Sequence, residues 1–290
     1  MSEKKKHTEQ DFTKEISNFF DKVDAPYEKS KEEVWELMAE QLEKQPAPPK
    51  TVWLNTRAIA AIAATLLVLL GLFSVMRFYT QTITVPKGHH LVAQLPDGST
   101  VDLNADTKLS YHPYWWRFAR TVNFEGEGFF KVKKGKKFQV ISNAGKTIVL
   151  GTSFNIYNRG KTYKVTCITG KVKVVSNTRE EVILSPDYHA EVNEKGNIRV
   201  YRQYASQQIT SWINNMFTFT SAPLADVLSE IERQYNVRIL FQAKEDYFYT
   251  GFFSRDKQVE EVLDLLAKTF GFTFVKRSDN EYEIIQTTQE

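Results

Sequence analysis

A chain of 290 residues with 42% hydrophobic content holds enough apolar side chain for two or three folded units and does not read as a disordered protein. Its 38 Lys and Arg against 35 Asp and Glu leave a formal charge of +3, without the basic excess a nucleic-acid face requires, so nucleic acid is excluded as a direct partner. The single cysteine, Cys167, rules out an internal disulfide framework and a multi-cysteine metal site; sharing a strand face with Tyr163 and Val165, it reads as a buried small residue.

In chain order, Phe12, Ile16, Phe19, Phe20 and Val23 recur at i, i+4, i+7, i+8 and i+11 and share one face of a predicted helix. A second helix follows, with Val34, Leu37, Met38 and Leu42 as its apolar stripe, Trp35 beside the stripe, and Glu32, Glu33, Glu36, Glu40 and Glu43 over the rest of its surface. QPAPPK ends it. Residues 1–50 are therefore a short α-helical arm. Two helices of this size bury too little surface to stand alone, so the stripes need each other, a second copy or a partner. Partner binding is preferred over a self-packed hairpin, because Phe19, Phe20, Trp35 and Met38 exceed what one hairpin seam hides.

The run from Ala58 to Met76, AIAAIAATLLVLLGLFSVM, is uncharged and reaches roughly 28 Å as a helix, about one hydrocarbon core. Only Thr65, Gly71 and Ser74 interrupt it, and bilayers tolerate all three. It follows a long polar segment and lacks a small-residue cleavage site, so it reads as a single transmembrane anchor in a lipid bilayer and not as a cleaved signal peptide. Lys44, Lys50 and Arg57 on one flank against Arg77 and Lys87 on the other lean toward a cytoplasmic N-terminus.

From residue 83 to about 195 the pattern changes to short alternating runs: LVAQL, TVDLN, RTVNF, GFFKV, KFQVI, TIVL, SFNIY, YKVTC and KVKVV. Strands at this spacing predict an all-β domain. Pro96, Asp97 and Gly98 read as a hairpin turn, with Gly98 at positive φ and Asp97 structural. The segments LPDGSTVDLNADTKLSY, VNFEGEGFFKV, KFQV, VLGTSFNIY, ITGKVKV and ILSP, in this order and spacing, resemble the periplasmic domain of FecR-type anti-sigma factors. The resemblance spans most of residues 83–195. It implies that the C-terminal region lies in the periplasm and the N-terminus in the cytoplasm, anchored in the inner membrane.

Residues 212–286 read as a compact α+β domain of β-α-β-β-α-β order. Ala222 and Pro223 open the first helix, with Leu224, Val227, Leu228, Ile231 and Tyr235 as its buried face. Val259, Val262, Leu263, Leu265 and Leu266 lie on the second, which Gly271 ends. The unit is similar to the C-terminal domain often appended to FecR-like proteins and to the small signalling domain of TonB-dependent receptors and secretins. Such domains bind other proteins.

Chemistry is sparse. His89 and His90 are adjacent and read as a loop pair without metal. Glu125 and Glu127 fall on one strand face at about 7 Å, a spacing seen in glycosidases, yet they lie in the E-G-E-G-F-F turn of the resembled family, where glycines account for the spacing. No phosphate loop, nucleophile elbow or HExxH pattern occurs. No cofactor is implied, and the chain does not read as an enzyme. Some FecR-type proteins cleave themselves at a Gly-Thr bond, which the resemblance places at Gly151 and Thr152; the ordinary turn glycine is the preferred reading there, since nothing in the sequence signals strain.

The resemblance thus implies an inner-membrane anti-sigma factor. Its arm would hold an extracytoplasmic-function sigma factor, and its periplasmic domains would receive a signal from an outer-membrane TonB-dependent receptor. The candidate sigma contacts are Phe12, Ile16, Phe19, Phe20, Trp35, Leu37 and Met38. They rest on architecture, because the arm carries no motif matched residue by residue. A membrane-tethered periplasmic scaffold or ligand sensor without sigma binding is the alternative, with an envelope glycan enzyme behind it.

Overall fold

The computed structural model describes residues 13–19, 22, 29–43, 55–202, 209–242 and 245–286. The chain divides into two compact units, Met1–Ala64 and Thr65–Glu290. Phe12, Phe20 and Val23 fall outside the described residues.

In the first unit residues 13–19 are helical and α1 runs Lys31–Glu43. Its start is a reciprocal capping box: the Ser30 hydroxyl accepts from the Glu33 amide at 3.3 Å, and the Glu33 carboxylate accepts from the Ser30 amide at 3.1 Å. No side chain of α1 is buried. Asn55 then caps α2 (Thr56–Phe78), its side-chain oxygen accepting from the Arg57 amide at 3.2 Å. This 23-residue helix is long and apolar enough to cross a membrane, and none of its side chains is buried.

The all-β domain contains β1 (Gln81–Val85), β2 (Leu91–Gln94), β3 (Thr100–Leu103), β4 (Thr107–Tyr111), β5 (Arg120–Lys131), β6 (Phe138–Ile141), β7 (Gly145–Val149), β8 (Ser153–Arg159), β9 (Thr162–Thr169), β10 (Val172–Ser176), β11 (Glu181–Leu184), β12 (Tyr188–Val192) and β13 (Ile198–Arg202). They form two sheets that share one strand. The first has the order β1-β4-β5-β6-β7-β10-β11 and the second β2-β3-β5-β8-β9-β12-β13. All pairings are antiparallel except β5 with β6, which is parallel.

The shared strand corrects the sequence reading. RTVNF and GFFKV, expected as two strands around a turn, are one continuous twelve-residue strand. Its first half pairs with β4 and β6 and its second half with β3 and β8. Gly126 marks the changeover at φ +112°, and a Cβ there would lie 2.3 Å from the Thr107 hydroxyl. A bend this sharp against this neighbour leaves room only for hydrogen.

Between the sheets the alternating apolar residues close into one core around Phe130, Phe138, Phe154 and Leu109, all fully buried. Phe130 stacks on Phe154 with ring centres 5.1 Å apart and planes 5° from parallel. Cys167, Tyr163 and Val165 are all buried in it, as the shared strand face requires. The β2–β3 turn closes through Asp97, which accepts from the Ser99 amide at 3.0 Å and from Arg120 at 2.8 Å, with Gly98 at φ +76°.

The α+β domain comprises β14 (Met216–Pro223), α3 (Leu224–Tyr235), β15 (Arg238–Phe241), β16 (Phe248–Ser254), α4 (Val259–Phe270), β17 (Phe272–Ser278) and β18 (Glu281–Gln286). It carries one strand more than the β-α-β-β-α-β expectation, divided into an antiparallel β14–β16 pair and a β15-β18-β17 sheet. β15 joins that sheet parallel to β18. Asn236 and Gly271, both left-handed, end the two helices. The apolar faces of the helices pack inward as their periodicity requires, except that Leu265 is exposed. This second core does not stop at the domain edge: Phe129 of β5 and Trp212 belong to it.

Candidate functional site

Within the first unit, the sigma-contact candidates that can be described all lie at the surface. Trp35 is 69% and Phe19 65% exposed, and Ile16, Leu37 and Met38 are exposed as well. Val34, Trp35 and Met38 frame a shallow groove whose rim carries Lys29 and Lys31. Exposed rings and thioether beside a ring of glutamates make a surface suited to an apolar partner with cationic edges. Phe12 and Phe20 lie outside the described residues.

In the second unit, the densest constellation of buried polar groups sits where the β-sandwich meets the α+β domain. It is centred on Glu127. The bend at Gly126 separates the two glutamates expected to share a face: Glu125 is exposed on the first sheet and Glu127 is buried on the second. The paired-carboxylate reading is thereby removed. Both Glu127 oxygens accept from amides, Oε2 from Asn104 at 2.8 Å and Oε1 from Asn155 at 3.1 Å. Asn104 in turn accepts from Gln234 of α3 at 2.8 Å, and Gln234 donates to Glu230 at 2.6 Å. Glu230 is forked by Arg233, with its shorter contact at 2.7 Å.

A second seam runs alongside. His90 bonds Gln234 at 2.9 Å and meets the Trp212 ring edge-on at 5.7 Å. Arg255 donates to the Gly88 carbonyl, and the Gly88 amide donates to the Arg233 carbonyl at 2.8 Å. The segment carrying His89 and His90 is thus a fastening between domains. His89 turns outward, bonded to the Lys87 carbonyl at 3.0 Å, so the two imidazoles do not converge on a metal. Among the described residues there is no cluster of His, Cys, Asp or Glu that could hold one.

Burial in this joint moves its titrations. The Glu127 carboxyl is pushed up to about 7, first by loss of hydration and then by the neighbouring Glu230 charge, against the pull of Arg159, Asn104 and Asn155. Burial also pushes Tyr157 up to about 12 and pulls His90 below the ordinary imidazole range. Beside the joint opens a cleft of about 340 Å³, with Lys164, His189, Tyr201, Phe217 and Phe219 among its walls. Around it Asn155 Oδ1, His189 Nε2 and Trp212 Nε1 are buried without a hydrogen-bond partner among the described residues. The joint holds the two domains together.

None of this joint is anticipated by the motifs, because Asn104, Glu127 and Glu230 come together only through the fold. One signal is available. Gln234 follows Val227 and Ile231 at i+7 and i+3 on the buried stripe of α3, a polar residue at an apolar position.

Gly151 and Thr152 sit at the entry to β8. A Cβ on Gly151 would fall 2.5 Å from the Lys134 backbone, which accounts for the glycine by close approach alone. The Thr152 hydroxyl is buried and has no hydrogen-bond partner among the described residues, so no base there is poised to take its proton.

The FecR protein model matches residues 81–173, and the FecR C-terminal model matches residues 216–284. The two meet at the joint just described. Among solved structures, a proposed anti-sigma factor from Parabacteroides distasonis ATCC 8503 is similar in two crystal structures, at 2.50 Å and 1.65 Å resolution. They are 28% and 29% identical, both with a TM-score of 0.66, covering 72% of this chain and 100% of each solved chain. No curated protein matches the chain. With the two domain models together spanning more than half of its length, in the same order as the two folded domains, the chain belongs to the FecR family.

Proposed function

We propose that this chain is an inner-membrane anti-sigma regulator whose action is coupling and not catalysis. The N-terminal arm, on the cytoplasmic side, holds an extracytoplasmic-function sigma factor. The FecR and C-terminal domains, in the periplasm, receive a signal from an outer-membrane TonB-dependent transporter and change the availability of that sigma factor by shifting a conformational equilibrium. The observation that carries the reading is one polypeptide joining an exposed apolar arm, through a membrane-length helix, to the two FecR-family domains. Likeness to the proposed anti-sigma factor from Parabacteroides supports the same role. Ile16, Phe19, Trp35, Leu37 and Met38, with Phe12 and Phe20, are the contacts proposed for the sigma factor.

The test is coexpression of a tagged Met1–Lys50 fragment with each extracytoplasmic-function sigma factor of the same genome. One of them is expected to copurify at near-equal stoichiometry, and Trp35→Ala or Phe19→Ala to weaken the complex by about 10-fold or more, the loss typical of an aromatic anchor. If no sigma factor binds and the fragment forms a stable helical oligomer, the regulator reading loses its output and a periplasmic scaffold replaces it.

A further inference from the structure

The loop from β4 to β5 reads His-Pro-Tyr-Trp-Trp-Arg-Phe over residues 112–118. Of its four aromatic rings only one turns into the sandwich: Trp116 is buried, 5.5 Å from Tyr111 and 5.9 Å from Phe138. The others face away. Tyr114 is 55% and Phe118 69% exposed, and Trp115 lies 4.6 Å from Phe118.

These rings are packed against the end of α2. Trp115 meets Phe73 edge-on at 5.8 Å, Tyr79 meets Tyr114 at 5.4 Å, and the Arg77 guanidinium lies 5.1 Å from the Trp115 ring and 5.4 Å from the Phe78 ring. His112 fixes the loop to the chain leaving the helix, its Nδ1 being 3.0 Å from the Tyr79 carbonyl and 3.2 Å from the Thr80 hydroxyl. Phe73 is five residues before the end of the helix, which sets Trp115 roughly 7 Å down the helix axis from that end. This is about the thickness of one headgroup layer.

The aromatic surface is thus continuous with the apolar surface of a helix that buries none of its own side chains. Tyr and Trp favour the boundary between hydrocarbon and water, and arginine next to them extends its charge outward while its stem stays in the apolar layer. The charge pattern agrees. No Asp or Glu occurs between Glu43 and Asp97, nor between Asp106 and Glu125, whereas Arg77 and Arg117 fall in those stretches. A face of this sign and chemistry suits lipid phosphates over a protein of mixed charge.

We propose that residues 112–118 form a membrane-interface anchor, seating Tyr114, Trp115 and Phe118 among the lipid headgroups at the C-terminal end of α2, with Arg77 and Arg117 reaching lipid phosphates. The anchor rests on the membrane-spanning reading of α2. It fixes the height and rotation of the β-sandwich on the bilayer, with its β4–β5 end against the surface.

The experiment uses the full chain with Cys167→Ala, carrying a nitroxide at one introduced cysteine in turn: Leu67→Cys in the middle of the helix, Phe118→Cys in the loop, and Lys195→Cys in an exposed turn of the sandwich. Each is reconstituted into phosphatidylethanolamine and phosphatidylglycerol vesicles, and depth is read from collision with oxygen against a water-soluble nickel chelate. Position 118 is expected at headgroup depth, between the deep value at 67 and the aqueous value at 195. If 67 is deep and 118 matches 195, the anchor is wrong and the spanning helix stands. If 67 is itself aqueous, both fall. A label at 118 shielded from both reagents marks protein contact, with a second copy or a partner, and overturns the anchor. As a check without the Phe118 change, lipids brominated near the headgroup should quench tryptophan emission by an amount that Trp115→Phe removes.

Discussion

Replacing Glu127 with glutamine keeps the length and planarity of the side chain and deletes the charge at the centre of the domain joint. Burial and the Glu230 charge raise the Glu127 carboxyl from an ordinary 4.5 to about 7. The folded state therefore binds more protons than the unfolded chain between these values, so the joint is most stable below about 4.5, loses stability as pH rises toward about 7, and is flat above. At 1.36 kcal/mol per unit the full shift sets a ceiling of about 3 kcal/mol, and the less complete hydrogen bonding of a glutamine between Asn104 and Asn155 brings the expectation to about 1–2 kcal/mol. The amide introduced at position 127 would turn an N–H toward one of the two asparagine amides. Asn155 can receive it by rotating its own amide, because its Oδ1 has no hydrogen-bond partner among the described residues of the wild-type arrangement. The fragment 80–290 carrying Glu127→Gln is thus expected to be about 1–2 kcal/mol more stable than wild type at pH 8, roughly 2–8 °C in Tm for a domain pair of this size, with the difference vanishing as pH falls below about 4.5. Urea unfolding followed by tryptophan emission across that range reads the difference. Buried His189, lowered to about 4 by loss of hydration, acts in the opposite sense: its contribution is present above 6.5 and is lost as pH falls toward 4. Subtracting the wild-type curve cancels it. A variant less stable at pH 8, or a difference that does not change with pH, would refute the reasoning.

Two further outcomes follow from the backbone. Gly126→Ala puts a methyl group into the Thr107 side chain at a left-handed position and is expected to destabilise the sandwich by roughly 2–4 kcal/mol; a midpoint unchanged in denaturant would show that β5 can bend without glycine. At Gly151 and Thr152, purified fragment 80–290 should remain one intact band over days at neutral pH, as should its Thr152→Ala variant, since no base is seen to reach the Thr152 hydroxyl; a wild-type fragment that splits between these residues while the variant does not would restore the self-cleavage reading.

Much of this architecture is readable in the residue pattern. Two-residue alternation from Ile83 onward, the uncharged run before it and the 3.6-residue stripes of α3 and α4 each report a local preference that tertiary packing does not override. What the pattern cannot report is where a strand changes sheets. Alternation continues on either side of Gly126, so Glu125 and Glu127 read as one face, although a single positive φ turns them to different surroundings. The joint is hidden for a related reason. Asn104 and Gln234 are far apart in sequence, and a buried amide pair leaves no periodic trace. Tyr114, Trp115 and Phe118 are equally easy to pass over, because an aromatic cluster between strands reads as core until the fold shows which rings point out.

The connection between α2 and β1 is two residues long, Tyr79 and Thr80, and both are held by His112. A tether of flexible residues would let the domain swing without consequence for the helix. Here there is no slack. Any load that turns the sandwich is delivered to the helix as torque about its own axis, or as a push along it, and a β-sheet hydrogen-bonded from its first residue is a stiff crank. Insertion of a few glycines after Phe78 is accordingly the simplest way to free the sandwich from the end of α2.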